Sequence, residues 1–215
     1  IPELMFFKNA AVAKLDELMD ADYLDGVKIS KIIQFEMAFE GIIKNGEAHN
    51  ADLIVMGSHG ANGFQEMFIG SNTEKVVRNS NVPVLVIKRE EDTFNASKFV
   101  FASDFSDEIK KPFEKVVEFV NKFGSHLYLA NINTPNNFKS TKVAQKQMDE
   151  FIANFKIDNY STHIYNDVNV DKGVLNFSKS INADLIGMST HGRKGISHFF
   201  NGSISEDLVN HAKRP

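Results

Sequence analysis

Apolar residues recur with two periods along this chain, and their order predicts the secondary structure. Helical spacing predicts helices over residues 3–20, 37–49, 71–79, 108–123, 141–155, 170–181 and 203–212. Alternating or continuous apolar runs predict strands over residues 28–35, 53–57, 84–87, 99–102, 126–132, 161–165 and 185–188. Because strands alternate with helices, the pattern is typical of an α/β fold with a parallel sheet between two helical layers.

One stretch of this pattern occurs twice. Residues 51–83 and 183–215 align without a gap and are identical at 14 of 33 positions. Each copy predicts a buried strand, then a glycine-rich loop, then the start of a helix. A glycine-rich loop that leads into a helix N-terminus is suited to an anion, and phosphate is the anion we expect.

The repeat divides the chain into two similar halves. We expect a first domain over residues 1–88, a charged linker over residues 89–97 and a second domain over residues 98–215. The second half reads β-α-β-α-β-α-β-α, and the first half follows the same order from its second helix onward and adds a fifth strand. The sequence therefore predicts two similar doubly wound parallel-sheet domains, the first lacking its N-terminal elements and the second its last strand.

Composition and charge exclude several classes of function. The 215 residues include no cysteine, which excludes disulfides, thiolate metal sites and cysteine nucleophiles. A formal net charge of −4 gives no indication of a nucleic-acid-binding surface. No apolar run approaches the roughly 18 residues of a membrane span, and no signal peptide is recognisable. We therefore expect a cytoplasmic protein that binds neither nucleic acid nor membrane.

Candidate binding residues lie where two strands of the second half end. In an open parallel sheet, ligands bind beyond the carboxyl ends of the strands, where the strand order reverses. Asp104 ends one strand and can accept a hydrogen bond from a ribose hydroxyl or a base amino group. The loop that begins at Ser189 ends another, so we expect both to face one crevice. Asp104 also fits the N-cap of the next helix, and the sequence leaves both roles open.

The two repeated loops supply the phosphate-binding candidates. Their glycines can adopt a positive φ, which would let backbone N–H groups approach an anion. The helix starts would add further N–H groups and hydroxyls. These candidates are Gly60, Gly70, Ser71, Asn72 and Thr73 in the first copy and Gly192, Gly202, Ser203, Ile204 and Ser205 in the second.

Structural roles remain open for several of these residues. Ser71 with Glu74, and Ser203 with Glu206, each match the capping box S-x-x-E, which needs no ligand. His191, like its counterpart in the first copy, can donate to a phosphate or brace its own loop. No catalytic set is recognisable, because the lysine of a P-loop and the pattern G-x-G-x-x-G are both absent. We expect no metal site.

The loop motif resembles a known family signature. Gly57, Gly60 and Gly70, followed by Ser71, have the spacing Gly-x2-Gly-x9-Gly-Ser, which resembles the nucleotide-binding signature of the universal stress protein family. Residues 82–86 are similar to the last strand of that family. The resemblance covers both halves and indicates a tandem member with two domains.

The resemblance implies a strand order of 3-2-1-4-5 in each domain, with ATP or a related adenine nucleotide, with or without Mg²⁺, between strands 1 and 4. Residues 101–106 are similar to the first strand and acidic turn of the family, so Asp104 is the acidic residue, and residues 130–132 would border the base. The loop residues named above, together with Gly57, would hold phosphates. The family also pairs domains through their fifth strands, which implies a homo-oligomer or a pseudo-dimer within one chain.

The two copies differ at positions that matter for a phosphate. Ser189 stands where the signature has its first glycine, whereas Arg193 and Lys194 add cations that favour phosphate. The second copy also has the acidic residue Asp104. We therefore expect the second half to be the binding half if only one binds.

The expected function is that of a stress-response protein that binds an adenine nucleotide and is regulatory rather than strongly catalytic. Two alternatives remain open from the sequence. One is a slow ATP hydrolase, and the other is a nucleotide-free dimeric interaction module whose loops only cap helices.

Overall fold

The computed structural model describes residues 2–58, 69–89, 93–189, 212 and 214–215. The strands are β1 (Ile54–Gly57), β2 (Val84–Ile87), β3 (Lys98–Ala102), β4 (His126–Asn133), β5 (Tyr160–Asn166) and β6 (Leu185–Met188). The helices are α1 (Pro2–Met19), α2 (Ala38–Ala48), α3 (Ser71–Asn79), α4 (Lys110–Phe123), α5 (Thr141–Ile152) and α6 (Val170–Ser180). Short 3-10 helices cover Asp22–Leu24 and Asp107–Ile109.

These strands form two parallel sheets. The larger has the order β5-β4-β3-β6, and the smaller pairs β1 with β2. If the strands of the second half are numbered from 1 in chain order, starting at β3, the larger sheet has the order 3-2-1-4. By the same numbering, β1 and β2 correspond to strands 4 and 5 of the first half. The expected α/β fold with doubly wound parallel sheets is therefore confirmed.

The larger sheet buries a different core on each of its faces. The face below α4 and α5 contains a group of fully buried side chains that includes Phe113, Leu127 and Met148. The opposite face packs Val100 against Val174 and Phe177 of α6. Alternate residues of β3 and β4 point to opposite faces, and both faces are covered, which is why the paired segments Phe99–Ala102 and Leu127–Ala130 are continuously apolar or aromatic.

The two halves of the chain are in contact. Leu85 of β2 packs against the core of the larger sheet. The Nζ atom of Lys115 on α4 lies 3.5 Å from Oδ1 of Asp52, which precedes β1. The smaller sheet therefore lies beside α4 and adds apolar contacts to the core of the second half.

Helix α1 is confirmed as a helix, but its apolar stripe is not buried. The exposed fractions of Leu4, Phe7 and Leu18 are 44%, 65% and 47%. Helical spacing therefore specifies the conformation of α1 without specifying what covers it. In the described ranges, no helix combines the length and the apolar character needed to cross a bilayer.

The strand predicted over residues 28–35 is wrong. These residues form no β-structure, and Ile32 and Phe35 are largely exposed. A strand is stabilised by backbone pairing with a neighbour, and β1 pairs only with β2 among the strands that the structure describes. Alternation alone therefore did not produce a strand.

Helix α4 ends where the sequence predicts. Gly124 has a φ of 65° and follows the last helical residue, so the chain reverses in the left-handed conformation that glycine adopts without strain. The chain then enters β4 beside β3, in the register Ala102 to Ala130. This register places the ends of β3 and β4 side by side.

Candidate functional site

A cleft opens at the carboxyl ends of β3, β4 and β6. The chain passes from β3 to β4 on one side, whereas β6 joins β3 on the other, so the strand order reverses at this point. The cleft is partly open to solvent. Its lining consists of Ala102, Ser103, Asp104, Asn131, Ile132, Asn137, Val170, Met188 and Ser189.

Asp104 lies in a tight turn that directs the chain out of β3. Its Oδ1 atom accepts a hydrogen bond from the backbone N–H of Ser106 at 3.1 Å, and the hydroxyl of Ser103 accepts one from Phe105 N–H at 3.0 Å. Phe105 has a φ of 55°. The N-cap of the following 3-10 helix is Ser106, so the alternative role of Asp104 as an N-cap is wrong.

A side chain of α5 holds this turn from below. The Nε2 group of Gln147 donates to the carbonyls of Asp104 at 2.8 Å and of Phe105 at 3.3 Å. Its Oε1 atom accepts from Lys139 Nζ at 2.7 Å, and the amide of Asn133 bonds to the backbone N–H and carbonyl of Lys139. These roles of Gln147, Lys139 and Asn133 were not predicted, because no sequence pattern distinguishes the three residues from other polar residues.

The end of β4 supplies the second wall of the cleft. Of the three residues expected to border a base, Asn131 and Ile132 line the cleft, and Ala130 is fully buried in the core. Ile132 and Val170 add apolar surface. The prediction that this segment borders a base is therefore kept for Asn131 and Ile132 and not for Ala130.

The end of β6 supplies the third wall. Ser189 is 8% exposed and lines the cleft next to Met188, so Asp104 and Ser189 do face one crevice. The remaining residues predicted for this site and its twin lie outside the described residues. They are Gly60, His191, Gly192, Arg193, Gly202, Ser203, Ile204 and Ser205.

The first copy of the loop shows how its helix begins. Gly70 is the N-cap of α3 with a φ of −63°, so the expected positive φ at this position is wrong. Its N–H donates to the carbonyl of Ser58 at 2.7 Å, which closes the base of the loop. Ser71 is the first helical residue rather than the N-cap, and the Glu74 carboxylate pairs with Arg78 at 3.1 Å. The capping-box interpretation of the first copy is therefore wrong, because the box requires serine at the N-cap.

The three side chains that open α3 have different roles. The Thr73 hydroxyl is buried and donates to the carbonyl of Gly57 at 2.9 Å, which ties the helix to the end of β1. Ser71 and Asn72 are exposed in the first turn. In this copy, Ser71 and Asn72 are therefore open to solvent, whereas Thr73 holds the strand and the helix together.

A chain of hydrogen bonds crosses β4 and β5 outside the cleft. Asn159 donates through Nδ2 to the carbonyl of Ser125, so its Oδ1 atom accepts from Nδ1–H of His126. The Nε2 atom of His126 then accepts from the Ser161 hydroxyl at 2.9 Å when Nδ1 carries the proton. The Ser161 oxygen in turn accepts from Nε2–H of His163 at 2.9 Å. Burial, with a contribution from nearby His126, lowers the pKa of His163.

Replacing His163 by glutamine is expected to weaken the loss of stability at acid pH. Because its pKa is lowered in the folded state, His163 binds a proton more readily in the unfolded chain. The fold therefore loses stability as pH falls below the unfolded pKa of 6.5. Glutamine keeps an N–H donor for Ser161 and cannot be protonated. We expect the Tm difference between about pH 8 and about pH 5.5 to shrink.

The matched control for this measurement is His49→Gln, at the C-terminal end of α2. It removes a histidine without touching the chain of bonds across β4 and β5. An equal change in the pH dependence for both variants would contradict the assignment to His163.

Comparison with known proteins gives the family. The sequence model of the universal stress protein family matches residues 3–88 and 96–215. The chain is 45% identical over 65 residues to Universal stress protein MJ0577 of Methanocaldococcus jannaschii, and 37% identical over 68 residues to Universal stress protein MJ0531 of the same organism. These segments cover 30% and 32% of this chain, and they span only 40% and 34% of the length of those relatives.

Solved structures give the same answer for the fold. The chain matches a universal stress protein from Archaeoglobus fulgidus with a TM-score of 0.73 and 26% identity, over 98% of this chain and 76% of that one. A universal stress protein from Pseudomonas aeruginosa matches with a TM-score of 0.69 and 17% identity, over 94% of this chain and 76% of that one, and shows the fold alone. Since the family model covers nearly the whole sequence in two consecutive matches, this chain belongs to the universal stress protein family as a tandem member.

Proposed function

We propose that the cleft at the ends of β3, β4 and β6 binds an adenine nucleotide and that binding regulates the protein rather than serving rapid catalysis. The observation that supports this most is the position of Asp104 and Ser189 at the ends of two neighbouring strands where the order reverses. The proposed setting is the cytoplasm. The proposed assembly is through fifth strands, between copies or within one chain.

Asp104 has the chemistry to hold a ribose. Its Oδ1 atom already accepts a bond from Ser106, and its Oδ2 atom bonds to no group among the described residues. The two adjacent hydroxyls of a ribose are donors, and a carboxylate only accepts, so the second oxygen is available to them. Because Gln147 and Ser103 fix the turn, the carboxylate has little freedom to move away.

Apolar groups flank the carboxylate where a base would lie. Ile132, Val170 and Met188 line the cleft around Asp104. A purine ring buries most of its surface against such side chains and keeps its polar edge for a few specific hydrogen bonds. This division of apolar walls and few polar groups is typical of nucleotide sites.

The phosphates would lie at the loop that follows Ser189. In the first copy, the helix after the equivalent loop starts immediately after Gly70, with Ser71 and Asn72 exposed in its first turn. The repeat assigns the same positions to Ser203 and Ile204 in the second copy. Backbone N–H groups at a helix start attract phosphate oxygens, and Mg²⁺ is the cation that would accompany a triphosphate.

Asp104→Ala is expected to weaken ATP binding by about 10-fold or more, because it removes a charge-assisted hydrogen bond. Isothermal titration calorimetry on the purified chain would measure the dissociation constants. The matched control is Asp107→Ala, three residues on, whose carboxylate is exposed and pairs only with Lys110 among the described residues. We expect the control to bind ATP as the native protein does.

Two results would contradict this proposal. One is the absence of nucleotide in purified protein by mass spectrometry, together with no thermal shift in millimolar ATP. The other is equal ATP affinity in the native protein and Asp104→Ala. Steady release of inorganic phosphate with Mg²⁺, lost in Asp104→Ala, would instead identify a hydrolase.

A further inference from the structure

We propose that the side-chain amide of Asn131 recognises the polar edge of the adenine base, as a hydrogen-bonding partner of its 6-amino group and an adjacent ring nitrogen. This inference rests on the proposed function, because it assigns a specificity-determining residue to the same cleft.

The amide of Asn131 is buried and unpaired. The residue is 5% exposed, and its side chain makes no hydrogen bond to any part of the chain that the structure describes. Asn133, two positions along the same strand and equally buried, uses both its amide oxygen and its amide nitrogen on Lys139. Burial of a polar group without a partner is unfavourable, and most buried amides have partners.

The residual exposure of Asn131 is at its amide. Among the described residues, the fully buried side-chain polar atoms without a partner are the hydroxyls of Ser125 and Ser178. The amide oxygen and nitrogen of Asn131 are not in that group, so both keep a small accessible area. Because Asn131 lines the cleft, the space that these atoms contact is the cleft itself.

The position of Asn131 fits the base rather than the sugar. Ala130 of β4 is level with Ala102 of β3, so Asn131 lies beside Ser103 and next to Asp104. Neighbouring strands are about 4.8 Å apart. We therefore place the base of a nucleotide whose ribose is held by Asp104 over the end of β4, where Asn131 and Ile132 both line the cleft.

The chemistry of an amide selects the base edge as its partner. The amide offers one acceptor and one donor side by side. Adenine presents the complementary pair, since its 6-amino group donates and the adjacent N1 or N7 accepts, and asparagine forms such bidentate pairs with adenine elsewhere. Phosphate oxygens only accept, so they would leave the amide oxygen unpaired.

A pair of nucleotides tests this inference on the native protein. Purine riboside triphosphate has hydrogen in place of the 6-amino group and is otherwise identical to ATP. We expect the native protein to bind ATP about 10-fold or more tightly than this analogue in calorimetry, because the analogue leaves the Asn131 oxygen buried and unpaired. This comparison needs no variant, so it does not depend on any mutant folding.

A variant tests whether Asn131 is the group responsible. Asn131→Leu has the same branching at Cγ and no polar side-chain atoms, so we expect the ATP preference to fall to about 2-fold or less while binding of the analogue stays within about 2-fold of native. The Tm of the ligand-free variant, compared with the native Tm, shows whether the variant folds. The matched control is Asn136→Ala, at an exposed asparagine outside the lining of the cleft, which should keep the native preference.

The outcomes separate this inference from the proposed function. Native protein that binds neither nucleotide overturns both. Native protein that binds ATP and the analogue equally overturns the assignment of Asn131 and leaves the nucleotide site standing. Asn131→Leu that keeps the native preference, or Asn136→Ala that loses it, also overturns the assignment. Loss of preference in Asn131→Leu alone supports it.

Discussion

Replacing Phe113 by alanine is expected to lower the free energy of unfolding by about 3–5 kcal/mol. Phe113 is fully buried below the larger sheet, and its ring centroid lies 5.0 Å from that of Phe101, 4.9 Å from Phe151 and 4.8 Å from Phe155. The three neighbours come from β3 and from the end of α5, so truncation leaves a cavity where three elements meet. Urea denaturation would measure the change.

The control for Phe113 is a phenylalanine outside any core. Phe138 is 73% exposed in the loop before α5. We expect Phe138→Ala to change the free energy of unfolding by less than about 0.5 kcal/mol. Similar losses for the two variants would show that the ring cluster around Phe113 does not determine stability.

Introducing valine at Gly187 is expected to destabilise the fold by about 1–3 kcal/mol and to weaken nucleotide binding with it. A Cβ atom at Gly187 would lie 2.6 Å from Cε2 and 2.7 Å from Cζ of Phe99. Phe99 is itself 6% exposed and packs edge-on against Phe119, so its ring has no free space to enter. β6 would have to move away from β3, and the cleft lies between their ends.

The repeat itself supplies the control for Gly187. Val55 occupies the same position in the first copy, on β1, and is 59% exposed. Val55→Gly should cost only about 0.5–1 kcal/mol, from the greater backbone freedom of glycine. Urea denaturation of both variants would test this contrast, and a cost at Gly187 no larger than at Val55 would contradict the predicted collision.

Most of the fold could be predicted from periodicity, because the elements of the second half bury side chains on the faces that the sequence marks. The helix that became α4 and the buried run that became β6 end within two residues of their predicted positions. The segment over residues 28–35 failed for a physical reason. Its alternation describes side chains, whereas a strand also requires a neighbouring backbone, which one segment cannot encode.

The candidate site was predicted in part. The position of Asp104 at a strand end and the loop after Ser189 follow from local sequence, and the structure brings them to one cleft. Gln147 was not predicted as a functional residue, and Asn131 was expected only as one of the three residues, 130–132, that border a base. Gln147 bonds to a turn 43 positions away along the chain. Asn131 is distinguished only by the absence of a hydrogen-bond partner for its amide among the described residues. Both properties depend on tertiary packing.

The position of Gln147 below the acidic turn has an entropic consequence. A loop that must become ordered when a ligand arrives reduces affinity by the conformational freedom that it loses. Here, α5 already immobilises the carbonyls of Asp104 and Phe105, and Lys139 extends the same bonds to the end of β4. A ligand that enters the cleft therefore meets a carboxylate that folding has already oriented. The conformational entropy of this turn is lost on folding, so its loss does not reduce the affinity for the ligand.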